Sequence, residues 1–145
     1  MPGTDRRLTE GPEATEAVAA EVARQLSPGD IVFLSGEVGT GKTTFVRAAC
    51  RELGVRGPVT SPSFTLARRY EGERYPISHL DFQRIGGGEE DPALFDSEAG
   101  PERVTFVEWS SEAPSGIGWL PACEVSFAHE GGDARQLTVE WHRDR

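Results

Sequence analysis

The chain has 145 residues, 37% of them hydrophobic and 27% charged, with a formal net charge of −9. This composition suits one soluble globular domain over residues 1–145, and the acidity disfavours a protein that grips a nucleic-acid backbone, RNA or DNA, by itself. The longest apolar stretches, four or five residues, are too short for a membrane span or a signal-peptide core.

Residues 11–26 are predicted as an amphipathic helix. Ala14, Val18, Val22 and Leu26 recur at spacing four, while Glu13, Glu16, Glu21 and Arg24 lie off that stripe. Ile31-Val32-Phe33-Leu34, bounded by Pro28-Gly29-Asp30 and by Gly36, reads as a buried strand.

Gly36-Glu37-Val38-Gly39-Thr40-Gly41-Lys42-Thr43 follows, and matches the phosphate-loop pattern G-x-x-x-x-G-K-[ST]. Lys42 is the only lysine among 15 basic residues. An ammonium is a compact point charge, whereas a guanidinium is a wide planar fork. A loop wrapped closely round a phosphate accepts the first and not the second. Phe45, Val46, Ala49, Cys50 and Leu53 then recur at helical spacing, with Gly54 as a stop. Strand, glycine loop and helix in this order aim backbone N–H groups and a helix N-terminus at an anion. The loop residues together with Thr44 are the candidate nucleotide-binding set.

Residues 57–63 form a turn-rich loop in which Pro58 and Pro62 set backbone angles. Ser61, Ser63 and Thr65 resemble a switch segment that senses a γ-phosphate; the plainer alternative is a proline-shaped turn. Residues 64–70 and 74–82 flank Glu71-Gly72-Glu73 and predict an antiparallel hairpin. Residues 86–92 are too rich in glycine and acid for a regular element and read as mobile, with a short helix over 92–98. Residues 104–109 are predicted as a second buried strand. Residues 124–128 and 136–141 alternate around Gly131-Gly132-Asp133 and predict a C-terminal hairpin. Cys50 and Cys123 lie in apolar patterns without metal-ligand spacing, which suggests buried free thiols in a reducing cytoplasm.

Phosphate loops work with Mg²⁺, which Thr43 is placed to ligate. The ion needs further oxygen, and in open α/β sheets ligands gather at strand C-terminal ends. Asp81 and Glu108 each end an apolar run; the alternatives are a turn role for Asp81 and a solvated strand end for Glu108. Lys42, Asp81 and Glu108 are the candidate catalytic set. His79 shares a strand face with Asp81 and either orients that carboxylate or packs. Trp109 points to the face opposite Glu108 and is either core or switch. Arg84 either reaches a phosphate or partner, or is solvated.

Four segments in order carry a family resemblance. They are the loop Gly36–Thr43, then Ser61-Pro62-Ser63-Phe64-Thr65, then His79-Leu80-Asp81-Phe82-Gln83-Arg84, then Val107-Glu108-Trp109. Together the chain resembles the TsaE (YjeE) family from about Ala14 to Trp109, with Ser63 at a family threonine and Gln83 at a family tyrosine. The resemblance implies a three-layer α/β phosphate-loop NTPase fold, with a mostly parallel central sheet plus antiparallel hairpin strands. It further implies a cytoplasmic, weakly active ATPase using ATP and Mg²⁺. Such a protein acts with TsaB and TsaD to place a threonylcarbamoyl group on adenosine of tRNAs reading codons that start with A. It meets tRNA only through the complex, and meets neither DNA nor membrane. The alternatives are a small phosphate-loop kinase acting on a small molecule and a nucleotide-dependent interaction switch. A GTPase is disfavoured, because the guanine-reading N-K-x-D motif needs an asparagine and the chain has none.

Overall fold

The computed structural model describes residues 3–37, 39–57, 67–81, 100–109 and 120–142. Its elements are β1 (Gly3–Glu10), α1 (Pro12–Arg24), β2 (Ile31–Ser35), α2 (Lys42–Glu52), β3 (Ala67–Glu71), β4 (Pro76–Asp81), β5 (Val104–Trp109), β6 (Cys123–His129) and β7 (Ala134–Trp141). The strands form one sheet in the order β1-β7-β6-β2-β5-β4-β3. Four central strands run parallel, through the pairs β6·β2, β2·β5 and β5·β4. Antiparallel strands close both sides, β7 and β1 beyond β6 and β3 beyond β4.

The burial of each strand follows from its place. Every residue of β5 is buried, and so are all but the first of β4, as expected of strands covered on both faces. β6 alternates along its first five residues, with Cys123, Val125 and Phe127 inward. The hydrophobic core lies on one sheet face, where both described helices pack. α1 contributes Val18 and Val22 of the predicted stripe; Leu26, also buried, lies just beyond the helix, and Ala14 is half-buried. The helix is shorter than predicted, because Pro12 starts it and the chain turns at Gln25. α2 contributes Phe45, Val46, Ala49 and Cys50. Phe45 is fully buried and meets Phe127 edge-on, with 5.8 Å between ring centroids. Burying such a ring stabilises by roughly 1.5–3 kcal/mol relative to leaving it in water.

The opposite face buries Phe33, Leu80, Val107 and Trp109. The third layer expected from the sequence is not among the described residues. Both predicted hairpins form, as β3–β4 and β6–β7. The strand β1 has no counterpart in the sequence reading, and it pairs with β7 at the sheet edge. The expected helix over 92–98 and the irregular stretch over 86–92 lie outside the described residues. Among the described residues, no helix is long and apolar enough to cross a membrane.

Candidate functional site

β2 delivers the chain to the glycine loop at Gly36. Its φ is +149°, and a Cβ there would stand 2.7 Å from the Phe127 carbonyl oxygen and 3.1 Å from Thr40 Oγ1. Only glycine lets the loop pass this close to β6. Thr40 is buried, and its hydroxyl donates to the Glu37 carbonyl at 2.6 Å, which tightens the turn. Gly41 holds φ +106° as the residue that opens α2. The helix therefore starts at Lys42, with its free N–H groups at the loop. Thr43 and Thr44 fall in that first turn and are half-buried.

Lys42 is 3% exposed. Its ammonium donates to three backbone carbonyls: those of Gly36, Glu37 at 3.5 Å and Trp109 at 3.1 Å. The Trp109 contact ties the loop to the end of β5. Burial lowers the Lys42 pKa from the ordinary lysine value, while Glu108 and Asp81 act in the opposite direction through their charge. Both carboxylates thus lie within electrostatic reach of the ammonium.

Asp81 and Glu108 are Cα partners in the parallel register of β4 and β5, so both side chains emerge on one face at the sheet's C-terminal edge. Both are fully buried. For Glu108 this excludes the solvated strand end. His79 Nε2 contacts Glu108 Oε2 across the two strands, which is neither of the two roles, orienting Asp81 or packing alone, that the sequence left open. Among the described residues, Glu108 Oε1 and His79 Nδ1 have no hydrogen-bond partner. Trp109 is buried on the other face, edge-on to Phe33 with ring centroids 5.6 Å apart. It is a core residue whose carbonyl, not whose ring, meets Lys42.

Beside the loop lies a cavity of about 150 Å³, bordered by Gly11, Thr15, Gly39, Thr44, Asp133 and Arg135. Arg135 donates to the Gly39 carbonyl at 3.3 Å, and Gly11 N donates to the Asp133 carbonyl at 3.1 Å. The β6–β7 turn and the start of α1 are thereby fixed against the loop. Sequence reasoning missed these residues, since hairpin turns carry no motif for what they touch. A second cavity of about 200 Å³, lined by residues such as Leu26, Glu52, Leu53 and Tyr75, contains none of the predicted site residues. Val38, Ser61, Ser63, Thr65 and Arg84 lie outside the described residues.

Asp81 and Glu108 offer carboxylate oxygens of the kind that a divalent cation takes. With both carboxylates ionised, Lys42, Asp81 and Glu108 sum to one net negative charge, which repels a polyphosphate. A divalent cation reverses that sign. Glu108 Oε1, without a hydrogen-bond partner among the described residues, is an oxygen of the hard type that Mg²⁺ takes.

A strand–loop–helix with a buried lysine, and two carboxylates at neighbouring strand ends, defines a phosphate-loop α/β protein. The family profile described as "Threonylcarbamoyl adenosine biosynthesis protein TsaE" matches residues 9–141, and the chain belongs to that family. It is 37% identical over 132 residues to the tRNA threonylcarbamoyladenosine biosynthesis protein TsaE of Bacillus subtilis, covering 90% of this chain and 81% of that one. The protein of the same name from Streptomyces coelicolor is 43% identical over 91 residues, which span 61% of this chain and 62% of the relative. The crystal structure of Bacillus subtilis YdiB superposes with a TM-score of 0.74 at 29% identity, covering 97% of this chain and 87% of that one. The match extends through the C-terminal hairpin, beyond the motif-bearing part at which the sequence resemblance stopped.

Proposed function

We propose that this protein is a Mg²⁺-dependent ATPase of tRNA threonylcarbamoyladenosine biosynthesis, slow alone and accelerated by the partner proteins TsaB and TsaD. The pathway rests on family membership and on the names of the relatives. The chemistry rests on one observation above the others: a buried lysine at the head of α2, within electrostatic reach of two fully buried carboxylates. Burying charge is costly, and a fold that needed only stability would fill these positions with apolar side chains.

In this reading the loop N–H groups and the α2 N-terminus receive the phosphates of ATP. Lys42 exchanges backbone carbonyls for β- and γ-phosphate oxygens. Thr43, Asp81 and Glu108 hold the cation, directly or through water, with Glu108 the nearer ligand. When bound, Mg²⁺ supplies neutralisation of the charge on the phosphate oxygens. The alternative role of Asp81 is to orient the attacking water by accepting its hydrogen bond instead of holding the cation. The cavity beside Thr44 and Arg135 takes the nucleoside. Ser61, Ser63, Thr65 and Arg84 form the nucleotide-sensing and partner-facing surface. The protein works as one domain in the cytoplasm, and reaches tRNA only through its partners, in keeping with its net charge of −9.

The test is ATP turnover by the purified chain, alone and with TsaB and TsaD. The expected result is slow turnover that rises sharply with the pair, since a partner that orders charge-stabilising groups gains about 10³–10⁵-fold in other phosphate-loop enzymes. Turnover raised by a small acceptor, and not by the pair, would point to a kinase.

A further inference from the structure

We infer that His79 is a positioning residue that aims the Glu108 carboxylate at the nucleotide-bound cation; this rests on the phosphate-loop reading above. The register sets His79 beside Phe106 and Asp81 beside Glu108, so the imidazole reaches diagonally along the pleat to its neighbour's carboxylate. Both side chains are fully buried. As a cation ligand Glu108 would be ionised and could only accept, so the ring N–H at Nε2 would donate to Oε2. One oxygen is held and the other, Oε1, remains without a partner among the described residues.

This arrangement has a physical purpose. The terminal torsion of a glutamate is broad and weakly restrained. Lys42 attracts the Glu108 carboxylate, and its ammonium already reaches the carbonyl of the next residue, Trp109. An unrestrained carboxylate would turn toward that ammonium and cancel the charge needed for phosphate. The His79 contact prevents this rotation and keeps Oε1 available. Simple packing does not account for the residue. Ile77, two residues back on the same strand face, is apolar and fully buried, and an apolar side chain at 79 would not leave Nδ1 without a partner. Ligand-orienting contacts of this kind are commonly worth 10–100-fold in metal affinity.

The experiment measures the Mg²⁺ concentration that half-saturates binding of a fluorescent, non-hydrolysable ATP analogue, together with analogue affinity in EDTA. His79→Leu is expected to raise the Mg²⁺ requirement roughly 10-fold or more, with the metal-free affinity little changed. His79→Gln, whose amide N–H can donate from nearly the same point, is expected to recover most of the loss. Thermal unfolding checks that each variant folds. If the Leu variant does not, His79→Asn, too short to reach Oε2, takes its place with the same outcomes. An unchanged Mg²⁺ requirement, or equal losses with and without metal, overturns the inference. Glu108→Gln separates the two levels. If Glu108→Gln raises the requirement and the His79 variants do not, only the His79 inference fails. If it does not, the assignment of Glu108 to the cation fails and takes the inference with it.

Discussion

Asp81 and Glu108 stand side by side on the parallel strands β4 and β5, register partners that are both fully buried. Adjacent buried carboxylates repel each other and lose hydration, so in the absence of a cation the pair is a local cost to the fold. Asp81→Asn should therefore stabilise the metal-free protein while damaging its chemistry. The expected gain is about 0.5–2 kcal/mol in urea unfolding with EDTA present. The expected loss is on the order of 10²-fold or more in Mg²⁺-ATP turnover, the scale of removing one electrostatic group from a reaction site. A variant that loses stability as well as turnover marks Asp81 as structural.

Lys42 links nucleotide binding to pH. Burial lowers its pKa from 10.5, so the folded protein releases this proton more readily than the unfolded chain. Fold stability from this group therefore rises with pH through the lowered pKa, in the window below 10.5 where the unfolded chain still binds the proton. Nucleotide phosphates favour the charged form, so the sign for binding is opposite. ATP affinity should fall as pH rises through the same window, with proton uptake on binding. Calorimetry in two buffers of different ionisation enthalpy, at several values from about pH 7 to 10, measures that uptake. Uptake that stays flat across the range would show that Lys42 does not meet the phosphates.

Removing the ammonium is the harsher perturbation. Lys42→Ala should abolish or greatly weaken ATP binding with the fold intact, because buried phosphate charge loses its counter-charge. Lys42→Arg should fail as well, since a planar fork does not fit among the carbonyls of Gly36, Glu37 and Trp109. Wild-type affinity in either variant would contradict the loop assignment.

Gly36→Ala tests the loop without touching charge. A methyl group there meets the Phe127 carbonyl oxygen at 2.7 Å, in a backbone region that L side chains rarely adopt. The expected destabilisation is at least about 1–3 kcal/mol in urea unfolding, the cost of such backbone strain before the clash is added. A change within roughly 0.5 kcal/mol, ordinary for a surface site, would mean that β6 does not confine the loop.

Cys50 offers a check on the core. It is fully buried in α2, and burial pushes its thiol up to about 12. The thiolate is the reactive form, so native protein should resist a disulfide reagent such as Ellman's, with labelling only as fast as the helix opens. Rapid labelling at neutral pH, abolished by Cys50→Ala, would show that α2 is not packed as described.

The legibility of this chain divides along physical lines. The buried parallel strands β2 and β5 were readable as short apolar runs, and the hairpins from glycine turns between alternating segments. Lys42, Asp81 and Glu108 were readable because a motif or a strand end fixes them in sequence. β1 was not, because its residues Gly3–Glu10 include two acidic and two arginine side chains, and an edge strand buries little. Arg7 there pairs instead with Glu21 on α1 at 2.9 Å, a contact that no local pattern announces. The Trp109 carbonyl on Lys42 was equally hidden, since backbone acceptors have no sequence signature. His79 was placed on the correct face, but its partner lies on the next strand, and strand order is not a local property.

The central claim joins phosphate binding at Lys42 to tRNA threonylcarbamoyladenosine. It is tested most directly in bacterial cells depleted of their own TsaE and supplied with this chain, by quantifying that nucleoside in digested tRNA. The wild-type chain is expected to restore the modification, and Lys42→Ala, expressed to the same level, is expected not to. Failure of the wild-type chain, or equal restoration by the variant, would contradict the account.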